Sequence, residues 1–152
     1  MDRGEISTVL DKAIDRLISE QSTLLDLDVT ERALSHHLAR YIQALVPAEY
    51  DVDIEYNRHF RDSKRLNLPH RDALDREIRA TTVFPDILVH KRNTDMMNLL
   101  VLELKKPRED LVYDDLKLRA FRKELNYPHA AHVILGRVGP GQMVREVKWI
   151  DD

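Results

Sequence analysis

The sequence contains Phe84-Pro85-Asp86-Ile87-Leu88-Val89 and, after a polar interval, Leu99-Leu100-Val101-Leu102-Glu103-Leu104-Lys105, two apolar stretches that decide the fold prediction. The second stretch is apolar at every position until its end, which is typical of a central strand covered on both faces. Its charged residues therefore belong to the rim of a sheet.

Two carboxylates and a lysine are expected to meet at that rim. Side chains two apart on a strand share a face, so Glu103 and Lys105 point one way and Leu104 the other. If residues 91–98 form the turn of a hairpin, Asp86 on the neighbouring strand reaches the same place. Such a cluster of hard oxygen ligands suits Mg²⁺. A purely structural ion-pair cluster is the alternative interpretation.

The pattern Pro85-Asp86 followed by Glu103-Leu104-Lys105 resembles the PD-(D/E)XK nuclease superfamily, which includes restriction endonucleases and archaeal Holliday-junction resolvases. The resemblance covers about residues 30 to 150. The chain is also similar to a group of small, mostly uncharacterised bacterial proteins. Three segments carry that second similarity: Glu55-Tyr56-Asn57-Arg58, Phe84-Pro85-Asp86-Ile87-Leu88-Val89-His90 and Asn98-Leu99-Leu100-Val101-Leu102-Glu103-Leu104-Lys105-Lys106.

The resemblance implies an α/β protein with a restriction endonuclease-like αβββαβ core, a mixed central sheet flanked by helices and an extra N-terminal helix. It also implies Mg²⁺, or Mn²⁺ as a substitute, held by Asp86, Glu103 and the backbone carbonyl of Leu104. Lys105 would orient or deprotonate the attacking water and offset charge on the phosphate oxygens. Lys106 and Arg108 would grip the flanking backbone.

Glu31 is a further candidate, because many superfamily members place a glutamate from the first core helix near the metal. Asp28-Val29-Thr30-Glu31 also fits a capping box, in which Asp28 is the N-cap and Glu31 reaches back to its amide. Both interpretations of Glu31 stay open at this level.

Composition limits the classes of protein. The chain has 152 residues, 43% of them hydrophobic, which fits one nuclease-like domain over residues 1–152. There is no cysteine, so disulfides and cysteine-ligated zinc are excluded. The start of the chain lacks the apolar run of a signal peptide and no stretch approaches membrane-spanning length, so a cytosolic protein without membrane contact is expected. The net charge of −3 argues against indiscriminate nucleic-acid binding.

Residues 57–80, predicted as an insertion between the first and second strands, form the one clearly basic stretch. They include seven basic residues and four acids. Arg61, Lys64 and Arg65 are therefore candidates for phosphate contacts near the strand end that holds Asp86. The alternative is a solvated, partly helical connection.

The remaining elements follow from apolar spacing. Helices are predicted at residues 6–18 within an N-terminal segment 1–25, at about 29–46 and at 108–126; further strands are predicted at 51–56, 130–135 and 143–150, with a turn at 136–141.

On the last of these helices, Asp115 shares a stripe with Leu111 and Leu118, which would turn a carboxylate toward the sheet. A solvent-facing edge of Asp114, Asp115 and Lys117 is the preferred interpretation. Lys117 is kept as a weak candidate for nucleic-acid binding. The histidines show no zinc-binding spacing.

These features favour a Mg²⁺-dependent endonuclease that hydrolyses DNA phosphodiester bonds, acting as a homodimer or within a larger complex. Two other classes remain: a catalytically silent member that binds nucleic acid or protein, and a subunit of a restriction or defence complex. The sequence does not choose between DNA and RNA, or between duplex, branched and single-stranded substrates.

Overall fold

A computed structural model describes residues 1–56, 58–59, 62–63, 65–69 and 78–152, and at 58–59, 62–63, 65, 69 and 78–82 only the backbone is considered. The helices are α1 (Arg3–Glu20), α2 (Ser22–Asp26), α3 (Glu31–Gln43) and α4 (Val112–Leu125). The strands are β1 (Asp51–Ile54), β2 (Arg58–His59), β3 (Asp62–Ser63), β4 (Arg65–Pro69), β5 (Ile78–Thr82), β6 (Ile87–His90), β7 (Leu100–Lys105), β8 (His129–Gly139) and β9 (Gln142–Trp149).

Five of these strands form a mixed sheet in the order β1-β6-β7-β8-β9. Neighbouring strands are antiparallel except β7 and β8, which are parallel. Helix α4 connects that parallel pair, as a crossover must. The α/β class with a mixed sheet is thus confirmed, and so is the hairpin that joins β6 to β7.

Strand β7 is covered on both faces, as its continuous apolar run predicted. Leu100, Leu102 and Leu104 join a core with α1 and α3. Val101 joins a second core with α4. Burying each such side chain stabilises the fold by roughly 1.5–3 kcal/mol. The two cores fix the height and rotation of β7, and therefore where its charged end emerges.

The helices of the first core pack through stripes of apolar side chains at helical spacing. Helix α1 begins with a capping box, in which the Asp2 carboxylate accepts from the Glu5 amide and the Glu5 carboxylate accepts from the Asp2 amide. The buried side chains of α1 include Ile6, Leu10, Ile14 and Leu17, and those of α3 include Leu34, Leu38 and Ile42. No helix within the described ranges is long and apolar enough to cross a membrane.

The capping box predicted before α3 is wrong. Thr30 is the N-cap and makes no side-chain capping bond. Asp28 has a left-handed backbone with a φ of 52°, whereas an N-cap residue needs an extended one. Its carboxylate instead pairs with Lys106, at 2.8 Å from Oδ1 to Nζ. Asp28 therefore contacts the turn after β7 through Lys106, and it does not cap α3.

Three predicted boundaries also differ. The N-terminal segment contains two helices separated at Gln21 rather than one. Helix α4 begins at Val112 instead of residue 108, because Arg108 has a φ of 70° and lies in a turn closed by the bond from the Glu109 amide to the Lys106 carbonyl. Strand β8 continues to Gly139 through most of the predicted turn.

The predicted insertion contains β-structure where it is described. Strands β2 and β3 pair with each other, as do β4 and β5. Leu66 and Leu68 of β4 are buried in the α4 core. Arg61 and Lys64 lie outside the described residues, and only the backbone of Arg65 is described, so their predicted phosphate contacts stay predictions.

Candidate functional site

The hairpin of β6 and β7 places Asp86 against the charged end of β7. The register pairs Ile87 with Leu102, and one further step sets Asp86 opposite Glu103. The Leu104 amide donates a hydrogen bond of 2.7 Å to Asp86 Oδ2. Burial raises the pKa of Asp86, although the bond from Leu104 opposes that shift. The first predicted pair of carboxylates is therefore brought together on one face of the sheet.

Glu103 is almost fully buried, with 3% of its surface exposed. Its Oε1 atom lies 2.8 Å from Lys117 Nζ. The Lys117 ammonium is therefore the counter-charge of this buried oxygen. Burial raises the pKa of Glu103 well above its usual value, with the nearby Asp86 charge adding to the effect and Lys117 opposing it.

Helix α4 contributes two residues that the sequence-based interpretation assigned to solvent. Asp114 and Lys117 are 5% and 9% exposed, so the predicted solvent-facing edge is wrong for both. Residues three apart on a helix share a face, and here that face meets the end of β7. Asp115, the third residue of the predicted solvent-facing edge, is half-buried; it pairs with Arg119 at 2.9 Å and lies 3.5 Å from His132 Nε2.

Asp114 connects the two lysines of the cluster. Its Oδ2 lies 2.6 Å from Lys105 Nζ, and its Oδ1 lies 3.4 Å from Lys117 Nζ. Burial alone would raise the pKa of Asp114, but the two ammonium groups together hold it below its usual value. Burial lowers the pKa of Lys105, yet Asp114 more than compensates and the pKa lies above the usual value. Lys105 is therefore held as an ammonium.

Glu31 also reaches this cluster, from the first turn of α3. It shares a hydrogen bond with the Glu109 carboxyl group. Burial, reinforced by that bond, raises the pKa of Glu31 to about 7. Glu109 Oε2 lies 4.0 Å from Lys105 Nζ. Glu109 was not predicted, because it is brought back to the site by an irregular turn that no periodicity signals.

These side chains form one carboxylate cluster, which consists of Glu31, Asp86, Glu103, Glu109 and Asp114 with the two ammonium groups of Lys105 and Lys117. Carboxylates outnumber ammonium groups, and burial weakens the screening that water would otherwise provide. Burial is the largest cause of the raised pKa values of Glu31, Asp86 and Glu103, and repulsion by neighbouring carboxylates adds to it. A further cation would relieve this repulsion.

The donor set fits a hard divalent cation. Asp86 and Glu103 would hold it through carboxylate oxygens, and the Lys117 ammonium would have to withdraw from Glu103 Oε1 for the ion to bind there. No group of three or more histidine, aspartate or glutamate side chains in the described residues is arranged to hold an ion. The remaining ligands would therefore be water and backbone oxygen, which Mg²⁺ accepts readily. The carbonyl of Leu104 stays the predicted backbone ligand.

The three remaining cations predicted to bind nucleic acid divide into two groups. Lys117 is directed into the carboxylate cluster and not toward solvent. Lys106 and Arg108 lie on the turn that follows β7, outside that cluster, with Lys106 paired to Asp28. His90 lies at the opposite end of β6 from Asp86, and its Nε2 atom is 2.9 Å from Asp53 Oδ2.

Comparisons with known proteins do not bear on this arrangement. No protein-family model, curated protein or solved structure matches the chain. The chemistry of the site therefore rests on the geometry of its own residues.

Proposed function

We propose that this protein is a metal-dependent phosphodiesterase that cleaves DNA. The observation that carries the proposal is the bond from the Leu104 amide to Asp86, which fixes one carboxylate beside Glu103 and on the face shared with Lys105. The order α3-β1-β6-β7-α4-β8 supports the restriction endonuclease-like αβββαβ core that the PD-(D/E)XK resemblance implies.

Asp86 and Glu103 would hold Mg²⁺, with Mn²⁺ as a substitute. The bound ion supplies polarisation of the scissile phosphate and a lowered pKa of bound water. The protein contributes the buried carboxylate of Glu103, which is carried on strand β7 rather than on a loop.

Lys105 would act as an electrostatic group rather than as a base. Its pKa lies above the usual value because Asp114 holds the ammonium at 2.6 Å. A permanent positive charge beside the phosphate stabilises the charge that develops in the transition state. Asp114 would be its positioning residue.

Glu31 is the better candidate for accepting a proton from water. A general base works best when its pKa is near the working pH, and the pKa of Glu31 is raised to about 7. Glu31 also lies in the first turn of α3, where nearby backbone amides favour the ionised form once the proton has left.

One observation favours the second candidate function, a catalytically silent member that binds nucleic acid or protein. The Lys117 ammonium already lies against Glu103 and supplies part of the positive charge that a metal would bring. A silent platform, or a subunit of a restriction or defence complex, would need no more than this. A cytosolic location and a homodimer with one site for each strand belong to the main proposal.

The proposal is tested by incubating the purified protein with duplex, branched and single-stranded DNA and with RNA, in Mg²⁺, in Mn²⁺ and in chelator. Cleavage is expected in metal and absent in chelator. Glu103→Gln is expected to abolish it, whereas Asp115→Asn, a matched change on α4 outside the cluster, is expected to leave it intact. Cleavage by Glu103→Gln at the parental rate would overturn the active-site assignment.

A further inference from the structure

A cleft with a volume of about 340 Å³ lies beside the carboxylate cluster. Its walls are the loop from α2 to α3, the turn that follows β7, and the part of β8 that extends past the end of β7. It borders the cluster because the amide of Lys106, which lines the cleft, donates a hydrogen bond of 3.3 Å to Glu109 Oε2 of the cluster.

Three cations from two segments line this cleft: Lys106 and Arg108 on the turn after β7, and Arg137 on β8. Gly136 brings these two segments together, because a Cβ atom there would lie 2.8 Å from Pro107 Cδ. A larger side chain at position 136 would force β8 and the turn apart. The close approach keeps Arg137 beside the basic turn.

Two of the cations form ion pairs with acidic residues at the end of α2 and in the loop that follows it. Asp28 Oδ1 lies 2.8 Å from Lys106 Nζ, and Asp26 is ion-paired with Arg137. The acids are the more exposed partners, with side-chain exposures of 83% and 55% against 31% and 35% for the cations. Exposed ion pairs of this kind contribute little to stability, so another anion can readily replace the carboxylates.

The third cation, Arg108, is available. Within the described residues its guanidinium makes no ion pair and no hydrogen bond. Its left-handed backbone, with a φ of 70°, is a conformation that a bulky side chain rarely adopts. Such strain persists where the surrounding structure holds it, and here the turn between Lys106 and Glu109 does so.

We propose that this cleft, named here the phosphate cleft, binds the phosphodiester backbone of the nucleic acid next to the scissile bond. In the free protein the carboxylates of Asp26 and Asp28 occupy the positions of two phosphates and are displaced on binding. The inference rests on the proposed function, since it names how that substrate is held. Arg137 is a new binding residue, and the loop from α2 to α3 is a competing internal anion.

The ligand chemistry shared by several sources is the phosphate group, and length separates them. A strand places several phosphates along the cleft at once, whereas inorganic phosphate or a mononucleotide places one. A strand is therefore expected to bind much more tightly than either small anion, and with a steeper dependence on salt.

The test is binding of a fluorescent oligonucleotide in chelator, so that cleavage does not take part, over a range of salt concentrations. The double variant Lys106→Gln/Arg137→Gln is expected to weaken binding and to flatten the slope of log affinity against log salt by up to about 2 units. Asp26→Asn/Asp28→Asn is expected to tighten binding several-fold, because the competing anions are gone.

Matched controls come from a distant ion pair on α1 and β9, where Asp15 lies 3.1 Å from Arg145. Asp11→Asn/Asp15→Asn and Arg16→Gln/Arg145→Gln change the net charge by two units with the same signs as the cleft variants, and they are expected to leave affinity nearly unchanged. Each variant is checked for an unaltered melting temperature, which the exposure of these side chains favours.

Three results would overturn the proposal: equal effects of the cleft and control variants, loosened binding in Asp26→Asn/Asp28→Asn, or equal affinity for inorganic phosphate and the oligonucleotide. The first would indicate a response to net charge alone, and the last a small-anion site. Binding is measured without metal, so the outcome of this test does not depend on whether the cleavage assay under the proposed function succeeds.

Discussion

The Lys117 ammonium lies 2.8 Å from Glu103 Oε1, so helix α4 supplies the counter-charge of a carboxylate buried at the end of β7. Burial lowers the pKa of Lys117, but Glu103 and then Asp114 raise it above its usual value. Lys117 is thus held as an ammonium in the absence of metal, and its contact with Glu103 links the packing of α4 to the state of the candidate metal site.

Breaking the pair of Glu103 and Lys117 is expected to destabilise the protein. Lys117→Met should lower the free energy of unfolding by about 3 kcal/mol, because it leaves a buried carboxylate uncompensated. Glu103→Gln/Lys117→Met should recover more than 1 kcal/mol of the sum of the single losses, measured by urea unfolding in chelator. The exposed pair of Arg16 and Glu20 is the control, with an expected coupling close to zero. Additive losses at Glu103 and Lys117 would contradict the pairing.

Metal should stabilise the protein through Asp86. Removing one of the repelling carboxylates in Asp86→Asn should raise the melting temperature in chelator and shrink the increase that Mg²⁺ produces. Lys117→Met should enlarge that increase, because the ion no longer competes with a tethered ammonium. Thermal unfolding over a range of Mg²⁺ concentrations measures both. Identical shifts in the parent and Asp86→Asn would count against a site built on Asp86.

The raised pKa of Glu31 makes stability depend on pH. A carboxyl whose pKa rises from 4.5 in the unfolded chain to about 7 in the fold gives stability below pH 4.5 that is lost as pH rises toward 7. Glu31→Gln should remove that loss, so its stability relative to the parent should increase by about 1–2 kcal/mol between pH 4.5 and 8, after allowance for solvent screening. Urea unfolding at several pH values tests this. The exposed Glu49→Gln should show no such trend, and a parallel pH profile for Glu31→Gln would refute the assignment.

Gly136 is expected to tolerate no side chain. Alanine there would overlap Pro107 Cδ at 2.8 Å and should destabilise the protein by about 1–3 kcal/mol. Gly139→Ala is the control, since its Cβ would meet Gln142 Oε1 at 3.5 Å, an ordinary contact. Chemical unfolding of the two variants compares them. Equal stability would show that the turn after β7 moves freely relative to β8.

Much of the sheet could be predicted from the sequence because its signal is local and strong. The continuous apolar run of β7 and the apolar β6 specify buried central strands, and the charges at the end of β7 can only lie at its rim. The pairing of Asp86 with the end of β7 followed from the hairpin alone. These features need no knowledge of distant contacts.

The contribution of α4 could not be predicted in the same way. Its register depends on where the helix begins, and the left-handed Arg108 delays that start to Val112. Leu116 is 40% exposed while Lys117 is buried, so apolarity does not mark the inner face of this helix. Charged residues were assigned to solvent by their type, and the buried counter-charges of β7 reversed that preference.

Glu31 and Glu109 show a different limit. The spacing of Asp28 and Glu31 fits a capping box, yet Asp28 is bound to Lys106, a residue far away in sequence. Glu109 reaches the cluster through a turn with no repeating pattern. Both depend on contacts between loops, which short-range sequence patterns do not encode.

The most direct test of the central claim, that Asp86 and Glu103 form a divalent-metal site, is the stoichiometry of Mn²⁺ binding. Free Mn²⁺ is measured by electron paramagnetic resonance during titration of the parent chain, Asp86→Asn, Glu103→Gln and the control Asp115→Asn. We expect one ion per chain in the parent and in Asp115→Asn, and loss of that site in the other two. Equal binding by all four proteins, or no binding by the parent, would contradict the claim.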